Sequence, residues 1–448
     1  MQVLKLTGGH QPKISGKPAA GLTSLDRPTH VAEAPLAIHL MKPRLLVKAG
    51  DTVRLGQPIV QDKKNPAIIL AAPGGGTIVD IRFGPRRVIE HIAIDLAEDE
   101  DPVRHPTYSE ADIESLPRDE IVSVLTTAGL WPLLMALPFR AIADPETIPP
   151  AIWVWTEDME PFGPDPAIYL ADAPDAFDLG LKILKRLTDK VIVALHRRHQ
   201  GLHGQMNGNQ FVQFSGRYPA GDPGVLVYHT KKTTAENVSW YIHAQDVVRV
   251  AQLFRTGRYP VEKIVAVGGD AATASGHFKT RVGVAVSHLL ANRFEDPELR
   301  HIAGGIFNGR RVAPDSYLGL REAALTVVSE GNTREFMALF NAGWKKPTYS
   351  NVYLSRLNSG EQQFDCNLHG GERACVGCMY CADVCPVRIL PHLTYKAVLA
   401  EEVEEFLAHG LLDCVECGLC SYVCPSKIEL AKTVMAAKVA YLNEREPS

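Results

Sequence analysis

Apolar residues change their spacing several times along the chain, and each change predicts a different element. Phe177-Asp-Leu-Gly-Leu-Lys-Ile-Leu-Lys-Arg-Leu repeats at helical period and predicts an amphipathic helix. It lies between two short apolar runs, Ala151-Ile-Trp-Val-Trp-Thr and Lys190-Val-Ile-Val-Ala-Leu, which read as strands. Gly224-Val-Leu-Val-Tyr-His predicts a further strand, and 238–254 predicts a helix. Alternation of this kind over 101–258 predicts a Rossmann-like, doubly wound α/β domain. Near the C-terminus, Leu393, Val398, Leu399, Val403, Phe406 and Leu407 line one helical face over 393–407. A last helix follows Pro425, opened by a capping box of Ser426 and Glu429.

The pattern differs over 31–100. Short β runs are broken by Gly50-Asp51, by Gly56 and by Pro73-Gly-Gly-Gly. Frequent glycine turns between such short strands predict a flattened barrel-sandwich hybrid, like the lipoyl and biotinyl carrier domains. Residues 259–330 hold a strand at 263–268, a helix around 284–291 and a strand from Arg300, a compact unit of β-grasp type similar to the SLBB fold. Residues 1–30, punctuated by Pro12, Gly16, Pro18, Gly21 and Pro28, predict an irregular arm. The expectation is a multidomain α/β chain. Its units are 1–30 (arm), 31–100 (barrel-sandwich hybrid), 101–258 (α/β), 259–330 (β-grasp) and 331–448 (helical).

Composition narrows the function. The chain of 448 residues is 46% hydrophobic, ample for several cores, and its net charge of −4 offers no basic surplus for nucleic acid. No run of 18 apolar residues is present, so no segment is expected to span a membrane by itself. The first residues lack the apolar core of a signal peptide, which points to a reducing cytoplasm.

The chemistry is concentrated in the tail. All nine cysteines lie at or after position 366. Cys375, Cys378, Cys381 and Cys385-Pro form one C-x2-C-x2-C-x3-C-P run, and Cys414, Cys417, Cys420 and Cys424-Pro form a second. This is the ligand spacing of bacterial two-cluster ferredoxins, in which the fourth cysteine of each run ligates the other cluster. The expected sets are Cys375, Cys378, Cys381 and Cys424 for one [4Fe–4S] cluster, and Cys414, Cys417, Cys420 and Cys385 for the other. Zinc sites use separated pairs, and disulfides need an oxidising compartment. Cys366 reads as a free buried thiol.

Other motifs read more plainly. Lys63, after Asp62, sits near the place where a carrier domain presents its modified lysine. It is followed at once by Lys64-Asn-Pro and reads as a solvated turn residue on a docking surface. His196, His199 and His203 follow a strand end, but two arginines share the stretch, and a polar loop is the expectation over a metal site. Gly268-Gly269 and Gly304-Gly305 read as turns. No glycine-rich loop joins a strand to a helix; the candidate region Leu125-Thr-Thr-Ala-Gly-Leu-Trp-Pro has one glycine, so no flavin or NAD site is identified. No catalytic residue is identified either.

Several motifs carry a family resemblance in their order along the chain. They are Gly16-Lys-Pro, the stretch from Met41-Lys-Pro-Arg to Ile81, Phe214-Ser-Gly-Arg-Tyr-Pro-Ala-Gly-Asp-Pro-Gly, Trp240-Tyr-Ile-His-Ala-Gln-Asp-Val and Leu253-Phe-Arg-Thr-Gly. Over nearly its whole length the chain resembles the A subunit of the Na+-translocating NADH:quinone oxidoreductase. Its tail is similar to the C subunit of the Rnf electron-transport complex and to the α-helical two-cluster module of membrane respiratory oxidoreductases. The A subunits of the family usually carry no intact cluster motifs, whereas this chain has both. The Rnf C subunit has a glycine-rich flavin and NADH loop, which has no counterpart around Gly129-Leu-Trp-Pro. The resemblance implies a peripheral electron-transfer subunit on the cytoplasmic face of the cell membrane. Its partners would be the membrane-embedded and flavin-carrying subunits of such a complex, with a soluble ferredoxin or dehydrogenase as donor. The alternative is an NADH-oxidising, flavin-dependent dehydrogenase subunit of Rnf type.

Overall fold

The computed structural model describes residues 3–157, 159–206, 209–290, 298–331, 342–344, 349, 354–358, 360–368 and 370–445. Its largest sheet has seven strands. Their spatial order is Val3–Lys5, Gln210–Ser215, Val191–His196, Ile152–Trp155, Trp240–His243, Met135–Ala136 and Ala141–Ile142. The first five run parallel, and the last two close the edge antiparallel. Helices Pro174–Leu184 and Ala244–Thr256 pack against each other beside this sheet. Their close approach needs Gly180, where a Cβ would meet the Val247 carbonyl oxygen at 2.4 Å.

Two apolar runs in this domain fold differently from their sequence reading. Residues 224–229, expected as a strand, lie in the helix Pro223–Thr230. Asp222 caps it by accepting from the Gly224 and Val225 N–H groups, with Pro223 at the first helical position. That start signal outweighs the β propensity of Val-Leu-Val. The helix expected over 238–254 is a strand, Trp240–His243, followed by the helix Ala244–Thr256. The His243 ring accepts from the Gln245 N–H and divides the two. Gly257, at φ 62°, ends the helix.

The N-terminal β unit is a sandwich of two sheets. One contains His30–Glu33, Ile89–Leu96, Gly76–Phe83 and Thr52–Val53; the other contains Pro43–Leu45, Pro58–Asp62 and Ile69–Ala71. Ile59, Leu70, Ile78, Ile92 and Ile94 are buried within it. A fourth, six-stranded sheet is built on the hairpin Glu262–Gly268 and Gly276–Arg281, with Ala324–Ser329 parallel to its first strand. The next strand, Leu299–Ala303, pairs antiparallel to Ala324–Ser329. A parallel pair of first and last strands at the centre is the β-grasp arrangement.

The arm at the N-terminus is not irregular throughout. Val3–Lys5 adds an edge strand to the seven-stranded sheet, and Leu22–Ser24 adds one to the β-grasp sheet. Between them the Gly9 N–H donates to the Val384 carbonyl at 2.8 Å, and the Gly269 N–H donates to the Gly16 carbonyl at 2.8 Å. One short segment thus stitches three units together. Polar and proline punctuation conceals these strands, because each is three residues long and pairs on one side only.

The C-terminal module is helical. The single helix expected over 393–407 is two, Pro391–Leu399 and Val403–Ala408, separated where Glu401 adopts φ 59°. The capping box expected at Ser426 is absent. The Ser426 hydroxyl is buried and donates to the Ala374 carbonyl at 2.9 Å, and the helix runs Leu430–Arg445.

Candidate iron–sulfur centres

The two cysteine runs fold as copies of one unit, displaced by 39 positions. Each has a short helix after its second cysteine, Tyr380–Asp383 in one and Leu419–Tyr422 in the other. Each has three left-handed residues at matching offsets. These are Gly377, Met379 and Arg388 at φ 67°, 66° and 52°, and Glu416, Gly418 and Lys427 at φ 58°, 76° and 58°. Only Gly377 and Gly418 would be expected in this conformation from residue type, since Met, Arg, Glu and Lys seldom adopt αL. Turning the backbone this way aims successive N–H groups inward, as in anion-binding nests. The N–H groups of Val387, Arg388 and Ile389 face the Cys385 sulfur, that of Leu419 faces Cys417, and that of Ser421 faces Cys420.

Cys381, Cys385, Cys414, Cys417 and Cys420 line one pocket, walled by Val387, Ile389, Leu419 and Val434. Two cysteines of the first run, Cys381 and Cys385, thus share this pocket with the first three of the second, and Cys385 clusters with Cys414 and Cys417 among Val225, Val387, Ile389 and Val415. Cys375 and Cys378 are exposed and lie outside that pocket with Cys424. The strand of chain before Cys375 is nevertheless tied to the chain after Cys424. The Arg373 N–H donates to the Ser426 carbonyl at 2.8 Å, and its guanidinium donates to the Pro425 carbonyl at 2.8 Å.

These residues fit a soft-ligand cluster. Burial pushes the Cys385 thiol up to about 11 and holds Cys417 and Cys420 well above the ordinary thiol value, so bare thiolates there would be costly. Ligated iron would offset that cost, with the inward N–H groups turned toward sulfur. Among the described residues no three His, Cys, Asp or Glu side chains meet at the spacing of a single metal ion. A cubane cluster takes one thiolate on each of four irons, so its ligands stand further apart than those of one ion.

The second run is held by the rest of the chain. Arg140 grips Asp222 through bonds of 2.7 and 2.8 Å and donates to the Val415 carbonyl at 2.8 Å. Lys438 donates to the Cys414 carbonyl and to Glu416. The Glu160 carboxylate accepts from the Phe307 and Asn308 N–H groups, both at 3.0 Å, and the Asn308 amide donates to the Glu416 carbonyl at 2.7 Å. Sequence reading misses Arg140, Lys438, Glu160 and Asn308. Lys438 alone has a signal: it follows the buried Leu430 and Val434 at four-residue spacing on one helix face.

The chain matches the NqrA N-terminal barrel-sandwich hybrid domain over residues 4–97, the NqrA second alpha/beta domain over 116–259 and the 4Fe-4S dicluster domain over 374–428. It is 32% identical over 414 residues to the A subunit of the Na(+)-translocating NADH-quinone reductase of Saccharophagus degradans, covering 92% of each chain. The chain belongs to the NqrA family. The corresponding protein of a Marinomonas species is 33% identical over 91% of this chain and 92% of its own length. Within the NqrA framework the dicluster match coincides with the paired cysteine runs.

Other residues singled out by sequence lie elsewhere in this NqrA family member. Gly129, at φ 71°, follows the helix Arg118–Thr127, and a Cβ there would meet that of Ala71 at 2.8 Å. It packs on the β sandwich. Lys63 is exposed in the bend after Pro58–Asp62. The His196 ring packs edge-on to Phe214, whereas the His199 Nε2 lies 3.4 Å from the Glu157 carboxylate. The side chain of His203 falls outside the described residues. Gly269, at φ 114°, and Gly305 are tight packing points; a Cβ at Gly305 would strike the Glu160 carboxylate. Cys366 is half-buried, and its N–H donates to the Ser329 carbonyl at 3.1 Å. Among the described residues no helix is long and apolar enough to cross a membrane.

Proposed function

We propose that this chain is the peripheral electron-transfer subunit of a membrane-bound, ion-translocating NADH–quinone oxidoreductase. It relays single electrons through two [4Fe–4S] clusters. One is held by Cys375, Cys378, Cys381 and Cys424, the other by Cys414, Cys417, Cys420 and Cys385. The observation that carries this reading is the grouping of Cys385 with Cys414 and Cys417 of the second run. Family membership supports the complex, since the relatives are named as subunits of a Na(+)-translocating NADH-quinone reductase.

In this reading the chain sits on the cytoplasmic face of the membrane. It docks on membrane-embedded and flavin-carrying subunits and exchanges electrons with them or with a soluble donor. The exposed Cys375 and Cys378 offer the outer route, and the set of Cys385 with the half-buried Cys414, Cys417 and Cys420 offers the inner one. The upstream domains dock and orient. When bound, the clusters supply one-electron storage; the chain's own residues bind them, exclude water from the inner site and direct N–H groups at sulfur.

Anaerobic titration of the cluster-loaded chain, read by visible bleaching and EPR, tests this. Dithionite should reduce both centres, and NADH alone should reduce neither. Reduction by NADH unaided would replace the relay with an NADH dehydrogenase. Failure of the chain to retain iron or acid-labile sulfide after reconstitution would end the reading.

A further inference from the structure

Lys438 is only 1% exposed. Lysine is almost never buried to this extent without a partner. Its ammonium donates to the Cys414 carbonyl at 2.8 Å and to the Glu416 carboxylate at 2.7 Å. A second cation reaches the next peptide of the same loop, where the Arg140 guanidinium donates to the Val415 carbonyl at 2.8 Å. Two cations therefore converge on consecutive carbonyls of the loop that carries Cys414 and Cys417.

The internal repeat provides a control. The residue 39 positions before Lys438 is Leu399, which is 64% exposed, and the residue 39 positions before Glu416 is Gly377. The first copy forms its cysteine loop with neither charge in place. The lysine and its glutamate are thus particular to the second copy rather than a requirement of the unit.

We propose that Lys438, assisted by Arg140, holds up the reduction potential of the centre formed by Cys414, Cys417, Cys420 and Cys385. This rests on the two-cluster reading above and assigns one of the two clusters its tuning residues. Reduction adds one negative charge to a thiolate-bound centre. Burial disfavours that charge, whereas a nearby cation in a poorly solvated site favours it. Glu416 opposes the lysine but does not cancel it. The ammonium donates directly to the Cys414 carbonyl at 2.8 Å, and Arg140, although paired with Asp222, donates to the adjacent Val415 carbonyl at 2.8 Å.

EPR-monitored redox titration of the full, cluster-loaded chain tests the assignment. Lys438→Met should lower the midpoint of one centre and leave the other in place. Glu416→Gln should raise the midpoint of that same centre. Lys438→Arg should restore the first shift. If Lys438→Met fails to fold, Glu416→Gln carries the test by itself. Both centres assembling with unmoved potentials, or the Met and Gln variants shifting the same way, would overturn the proposal. A wild-type chain that assembles no cluster would instead remove the electron-transfer reading beneath it, so the two failures are separate.

Discussion

The hydroxyl of Tyr218 lies 3.0 Å from the carbonyl oxygen of Cys417, a hydrogen bond across 199 positions of sequence. It joins the loop after the strand Gln210–Ser215 to the second cysteine run. The Tyr218 ring also stacks on Phe307 of the β-grasp domain, with centroids 4.7 Å apart, and Phe307 meets Tyr422 edge-on at 5.2 Å. The cysteine loop is thereby clamped by two upstream domains. Tyr218→Phe keeps the stacking and deletes the hydroxyl. It should cost about 1 kcal/mol in urea unfolding, the net worth of an ordinary hydrogen bond. Unchanged stability together with an unaltered EPR spectrum would show that the clamp is apolar only.

The grouping of Cys385 with Cys414 and Cys417 makes an ordered prediction about cysteine variants. Cys385→Ser should lose about half of the iron and sulfide, because each cluster takes four ligands. The surviving signal should match that left by Cys417→Ser. Cys424→Ser should instead match Cys375→Ser. Iron and acid-labile sulfide assays with low-temperature EPR distinguish the pairs. If Cys385→Ser matched Cys375→Ser, each run would hold its own cluster and the crossed reading would be wrong.

Which features are legible in the sequence follows from how local each signal is. Cysteine identity and spacing are read directly, so the paired runs are visible without any structure. The strands Ile152–Trp155 and Val191–His196 and the helix Pro174–Leu184 announce themselves by period. The helix Pro223–Thr230 is lost because its apolar run is too short to show a period, although Asp222-Pro223 in front of it is a readable start. Arg140, Glu160 and Asn308 carry no local mark. Each acts on the cysteine loop only because the fold brings it there from a distant part of the chain.

Gly9 is where the N-terminal arm crosses under the cysteine module. Its φ is 92°, and a Cβ on it would lie 2.3 Å from the Tyr218 carbonyl oxygen. The next residue donates its N–H to that same oxygen at 2.9 Å. Gly9→Ala must therefore adopt a strained backbone and push two chain segments apart. A loss of about 2 kcal/mol or more is expected in chemical unfolding. Gly371→Ala, with open space around its Cβ, serves as the neutral comparison. Equal stability of the two variants would mean that the arm is not a structural tie.

Glu33 ends the strand His30–Glu33 with its carboxyl buried among charges from two other domains, Arg249 and Lys263. Arg249 is shared with Asp246, which it meets at 3.0 Å. Burial dominates, and it pushes the Glu33 carboxyl from its ordinary 4.5 up to about 8. Between those two values the folded chain keeps a proton that the unfolded chain releases. Its contribution to stability is complete below pH 4.5 and is lost as pH rises toward 8. Lys263, pushed down to about 8 by burial, has the opposite sign, but only above pH 8. His243, pushed down to about 4 by burial, acts below pH 6.5 and is common to both chains compared. Glu33→Gln replaces the protonated carboxyl with a neutral group of the same shape. Urea unfolding at about pH 5 and about pH 8 should therefore show the variant losing less stability than the wild type over that interval. Parallel losses would mean that Glu33 is already ionised in the folded chain at neutral pH, with Arg249 rather than burial deciding its charge.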